Sequence, residues 1–169
     1  LRPPPHLRAF TYYDREILPY KNDDVINAHA MPGAHAALQA VQDAGLRCAL
    51  FTNPSFPQGA IECRMGWGDL ADAPFELVTH MGNATRCKPD ATYYLEQLQA
   101  MGLEPHEVLM VGNDPKRDFP SPACGIQTAY VGQGKPGLAT WRGTMEDFAR
   151  NFNAVVEAFY EHQVANELS

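Results

Sequence analysis

A chain of 169 residues that is 45% hydrophobic and 10% aromatic has enough apolar surface for one sizeable core and too little for two. Its 13 basic against 20 acidic residues give a formal net charge of −7, which argues against a surface built to neutralise a nucleic-acid backbone. The four cysteines at 48, 63, 87 and 124 include no Cys-x-x-Cys pair, so neither a zinc finger nor a disulfide framework is expected, and a reducing cytoplasmic setting fits.

No apolar run approaches the ~20 residues of a membrane span. The chain opens on Leu1-Arg-Pro-Pro-Pro-His6, which does not look like the start of a packed element, so it reads as the continuation of something longer. Leu7, Phe10, Tyr13 and Ile17 then recur at spacings of three and four, predicting one amphipathic helix from Leu7 to Tyr20 that ends near Pro19. A loop through Lys21-Asn22-Asp23-Asp24 follows. Pro32-Gly33 opens a second helix with Ala34, Ala37, Leu38, Val41 and Ala44 on one face, stopped at Gly45.

Arg47 to Thr52 contains Cys48-Ala-Leu-Phe51, a short continuous apolar run of the kind expected when helices cover both faces of a strand. Asn53-Pro54 ends it. A helix is predicted from about Pro57 to Met65, then a strand from Phe75 to Thr79. Pro89 starts a helix with Tyr94, Leu95, Leu98 and Met101 aligned, closed by Gly102. Glu107 to Val111 is the most strand-like run, and Thr128 to Val131 supplies another strand. Thr144 caps a final helix with the stripe Met145, Phe148, Phe152, Val155, Val156 and Phe159. Strands alternating with helices imply an α/β fold with a doubly wound, Rossmann-like parallel sheet.

Ligands of such sheets bind at the carboxyl ends of the strands. Three of those ends are polar: Thr52-Asn53, the loop leading to Lys88, and the turn from Gly112 through Asn113 and Asp114 to Asp118. Singly, each has a plain explanation. Thr52-Asn53 suits a helix cap, Lys88 a solvated loop lysine, and Asp114 and Asp118 a turn former and a surface carboxylate. Together, a hydroxyl, an amide, an ammonium and a carboxylate pair suit an anion held beside a hard divalent cation such as Mg²⁺.

Phe-Thr-Asn at 51–53, Lys-Pro at 88–89 and Val-Gly-Asn-Asp-x-x-x-Asp at 111–118 resemble, in order and spacing, the second, third and fourth motifs of the haloacid dehalogenase superfamily. Ala123-x-Gly125-x-x-Thr128 resembles the continuation into the last strand, so the likeness covers roughly residues 30 to 135. It implies a Mg²⁺-dependent phosphomonoesterase that acts on a small phosphorylated metabolite through an aspartyl-phosphate; the acidic charge and the lack of a long apolar run add the expectation of no nucleic-acid or membrane partner. By the same resemblance Thr52 hydrogen-bonds the transferring phosphoryl group with help from Asn53. Lys88 stabilises the nucleophilic carboxylate and the phosphoryl oxygens. Either Asn113 or Asp114 touches the metal, with Asp118 a further ligand or an anchor. The acidic turn favours a phosphatase over a metal-independent dehalogenase.

The family's attacking group is the first aspartate of an Asp-x-Asp after the central first strand, and this chain contains no Asp-x-Asp. Asp14-Arg15-Glu16 comes nearest, but its aromatic, helical context assigns it to a helix surface. The expectation is therefore a fragment of a longer enzyme, inactive alone, with a catalytically inactive binding module as the alternative. The central strand would be missing, leaving the strands that end at Thr52 and Val111 with unpaired edges. Residues 1–30 would be the remnant of a cap domain and linker, and residues 31–169 the core. His80 and His106 read as structural, Trp67 and Trp141 as packing residues, and Cys87 carries no sign of thiol chemistry.

Overall fold

The computed structural model describes residues 5–23, 27–135 and 137–167; residues 1–4 of the opening proline run and Asp24 of the predicted loop lie outside them. The N-terminal helix begins as α1, Pro5–Tyr12, and continues as a π-helical turn, Tyr13–Ile17, and a 3₁₀ turn, Leu18–Tyr20. Pro19 supplies no N–H, so this turn cannot keep the α pattern and tightens, and helical backbone continues through residues 21–23, where a loop was expected. Of the predicted apolar stripe, Phe10 and Tyr13 face solvent and Ile17 is half-buried, while the neighbouring Leu18 is buried. Both terminal turns pack on α3, Gln58–Trp67. Asp14 and Glu16 sit on the π turn, as a helix-surface assignment requires.

Helix α2, Ala34–Asp43, starts after Gly33, whose φ of +84° only glycine adopts freely. A Cβ there would lie 2.6 Å from the Glu146 backbone nitrogen, so the same glycine lets α2 press against α5, Met145–Arg150. The apolar facing residues Ala37, Phe148, Phe152 and Val155 form one buried cluster with Ala129 and Val131. The final helix predicted as one element is broken at Asn151 into α5 and α6, Phe152–Glu167. Asn151 Nδ2 donates to the Asp147 carbonyl at 2.8 Å, a side-chain bond that competes with the helix ladder. Thr144 and Asp147 form the reciprocal capping box that starts α5.

The strands are parallel and fall into two sheets. One pairs β1, Ala49–Leu50, with β2, Leu77–Val78; the other has the order β3–β4–β5, from Leu109–Gly112, Gln127–Tyr130 and Trp141–Arg142. With α2 before β1, α3 before β2 and α4, Ala91–Met101, before β3, this is the α/β architecture expected, in two parts rather than one continuous sheet. Among the described residues nothing pairs between β1 and β3. Both strands are half-buried along their length, whereas every residue of β4 is buried. The predicted two-face coverage of Cys48 to Phe51 is thus only partial.

On α4 the buried face is Tyr93, Tyr94, Gln97 and Leu98, and Leu95, placed on the predicted stripe, is 45% exposed. Pro89 precedes the helix instead of occupying its first turn, because Asp90 takes the cap by accepting from Thr92 N at 2.8 Å. Gly102 closes α4 in the left-handed region, as expected. Strand β5 was not expected; Trp141 at its start packs edge-to-face on Phe148, with ring centroids 5.5 Å apart. No helix among the described residues is long and apolar enough to cross a membrane.

Candidate active site

Thr52, Lys88 and the 112–118 turn converge at the carboxyl ends of β1 and β3. Lys88 is the link. Its Nζ donates to the Phe51 carbonyl at 2.9 Å and to Asp118 Oδ1 at 2.7 Å, while the lysine and aspartate side chains keep only 9% and 15% of their surface exposed. Lys88 is therefore not the solvated lysine its loop position alone would suggest. An ammonium has three donors, and two are fixed inward here. The third can meet an anion.

Asp118 is the most heavily used carboxylate in the site. While Oδ1 takes Lys88, Oδ2 accepts from Asn113 N at 3.1 Å and Asp114 N at 3.0 Å. Its approach to the end of β3 is so close that a Cβ on Gly112 would lie 2.6 Å from Asp118 Cβ, which explains a glycine at that position. Asp114 folds the turn on itself: its Oδ1 accepts from Lys116 N at 3.0 Å and Arg117 N at 3.3 Å. The Asn113 side chain is exposed and, among the described residues, holds no hydrogen bond.

Thr52 is tied inward. Its N–H donates to Thr79 Oγ1 at 2.7 Å and its hydroxyl donates to the Thr79 carbonyl at 2.7 Å, so neither donor faces the edge. The next residue differs: among the described residues no hydrogen bond engages the Asn53 N–H or its side-chain amide. Tyr93 OH closes the network by donating to the Thr52 carbonyl at 2.6 Å, 2.9 Å from Thr79 Oγ1. Thr79 and Tyr93 are fully buried, and sequence reasoning gave neither a role. The available signal was a threonine ending one predicted strand and a tyrosine beside Tyr94 in a helix opening just after Lys88.

A hard divalent ion would find oxygen donors on this turn. Asn113 Oδ1 is open and Asp114 Oδ2 lies 3.6 Å from the exposed Arg117 Nε, a weak competitor. Asp118 offers less, because both its oxygens are engaged and Lys88 already neutralises it. Mg²⁺ takes one or two protein carboxylates and keeps several waters, so this donor set fits it, with Asp118 better placed to hold the turn than to ligate. Among the described residues no three His, Cys, Asp or Glu side chains gather at one metal position. His80 is occupied locally, its Nδ1 accepting from Gly82 N at 3.0 Å.

A family described as haloacid dehalogenase-like hydrolase matches residues 6–124. The chain is 30% identical to phosphoglycolate phosphatase of Rhodospirillum rubrum over 115 residues, 68% of this chain and 46% of that protein. It is 31% identical to ribulose-phosphate 3-epimerase of Rhodobacter capsulatus over 138 residues, 78% of this chain and 58% of that one. It thus spans about half the length of the curated relatives it matches. In fold it is similar to CbbY from Rhodobacter sphaeroides, solved in complex with phosphate: TM-score 0.64, 13% identity, 87% of this chain and 67% of that chain covered.

Proposed function

This chain belongs to the haloacid dehalogenase-like hydrolase family, and from that premise we propose that the protein is a Mg²⁺-dependent phosphomonoesterase acting on a small phosphorylated metabolite in the cytoplasm. One observation carries the reading. Lys88 presents a buried, pre-oriented ammonium with one donor to spare at the edge where the Thr52 and Asp118 turns meet. Both curated relatives are named for phosphorylated small molecules, which supports the substrate class. The free thiols Cys48, Cys63, Cys87 and Cys124 suit a reducing compartment.

In this mechanism Lys88 binds the phosphoryl oxygens and stabilises the negative charge that builds during transfer, without reorganising, because Phe51 O and Asp118 already fix it. Asn53 supplies its unengaged N–H and amide donors to the same group, and Thr52 holds the turn that presents them. Asn113 and Asp114 would hold Mg²⁺, and Asp118 anchors their turn through its two backbone bonds. When bound, the cation neutralises phosphate charge and orients the ester. The attack itself, through an aspartyl-phosphate, requires a carboxylate that no Asp-x-Asp of this chain supplies. Residues 1–30 are proposed to be the remnant of a cap domain and linker, and residues 31–169 the core.

The amide at Asn113, where the resembling motif commonly carries a carboxylate, favours a second reading, a phosphate-binding module without turnover. A panel of small sugar and acid phosphates in Mg²⁺, assayed for phosphate release beside 2-haloacids assayed for halide, separates the readings. Phosphate release supports the phosphatase. Phosphate binding without release supports the module, and halide release alone replaces both with a dehalogenase.

A further inference from the structure

The two turns that form the edge belong to different sheets, and among the described residues no strand pairing joins β1 to β3. Side chains tie them together. Lys88 is one tie, and α4 carries two more. Tyr93 and Tyr94 are consecutive, both wholly buried, and their rings stand edge-to-face with centroids 5.1 Å apart. Neighbouring helical residues diverge by about 100°, so two consecutive tyrosines can reach different partners from one turn. Tyr93 OH donates to the Thr52 carbonyl at 2.6 Å, and Tyr94 OH donates to the Asp118 carbonyl. The Phe51 ring, 5.9 Å from Tyr93 and 6.4 Å from Tyr94, locks both in place.

We infer that Tyr93 and Tyr94 are a pair of positioning residues whose hydroxyls anchor the Thr52 turn and the Asp118 turn to one helix, and so help fix where the free N–H of Lys88 meets an anion. The consequence for catalysis rests on the phosphatase reading; the geometry does not. Each hydroxyl satisfies a backbone carbonyl at the base of one turn, and Thr79 extends the Tyr93 arm by accepting from Thr52 N. Burial pushes both phenols above their ordinary range, so each remains a neutral donor in any physiological solution. Because Phe keeps the ring and its packing, Tyr→Phe removes the tie and little else.

The test uses Tyr93→Phe and Tyr94→Phe in the protein at the length its gene encodes, with Ile126→Val as a control from the same buried cluster. Backbone amide spectra give the first readout. Tyr93→Phe is expected to shift Thr52 and Asn53 and spare 113–118, and Tyr94→Phe to do the reverse. Phosphate release from an aryl phosphate gives the second. Tyr93→Phe is expected to raise KM about five- to tenfold, the worth of one hydrogen bond, with kcat nearly unchanged, while Tyr94→Phe lowers kcat by a similar factor. Ile126→Val should lower the urea midpoint and leave kcat and KM alone. Shifts spread evenly through the Leu98 and Ile126 cluster, or wild-type kcat and KM in both tyrosine variants, would overturn the pair. If the wild type releases no phosphate, the phosphatase reading fails and the amide shifts alone decide the inference.

Discussion

Lys88 Nζ lies 2.7 Å from Asp118 Oδ1, and through the Phe51 carbonyl the same ammonium also holds the end of β1, so one ion pair spans two sheets that, among the described residues, share no backbone pairing. Lys88→Met leaves Asp118 as a largely buried carboxylate without its counterion. The expected cost is about 3 kcal/mol, because removing one partner of a desolvated pair strands the other. Urea unfolding measures it. A loss below 1 kcal/mol would mean that the pair is better solvated than its exposures of 9% and 15% indicate.

Two glycines make opposite predictions. Gly112→Ala puts a methyl 2.6 Å from Asp118 Cβ and 2.9 Å from Oδ2, so it should destabilise by about 1–3 kcal/mol and displace the carboxylate that fixes Lys88. Gly59, in the first turn of α3, has nothing within 4 Å of a built Cβ. Gly59→Ala should stabilise by up to ~1 kcal/mol through helix propensity. Chemical denaturation of both variants checks the contrast, and equal effects would contradict it.

Alkaline pH should act through the tyrosine pair. Burial raises both folded-state phenols above their ordinary value of 10, so the stability they contribute is fully present below pH 10 and is lost as pH rises through the folded values. The urea midpoint should hold up to about pH 10 and fall beyond it. The fall should be shallower in the Tyr93→Phe/Tyr94→Phe double variant, and an identical fall would show that other groups govern it.

The sequence reveals what depends on residue type and spacing. Gly45 and Gly102 mark helix ends because a left-handed backbone needs glycine, and Thr144 marks a start because its hydroxyl caps an N–H. Lys88 and Asp118 stood out as candidate site residues, but not as partners of each other, since the contact closes across 30 positions. The stripe of α4 was misread at Leu95 because tyrosines at 93 and 94 bury together to reach Thr52 and Asp118, a tertiary demand with no period. Thr52 was expected to offer its hydroxyl to a ligand. That donor goes to Thr79, a partner from another strand end that local pattern cannot show. Strand β5 is only two residues long and pairs with a neighbour, so it leaves no alternation to detect.

The most direct measurement is phosphate release from an aryl phosphate by the protein at the length its gene encodes, in Mg²⁺, after EDTA, and in Lys88→Met. Release is expected in Mg²⁺, with its loss on chelation, its return when Mg²⁺ is restored, and at least a roughly hundredfold fall in kcat for Lys88→Met. No release by the wild type, or release that survives both chelation and Lys88→Met, would contradict the phosphatase reading.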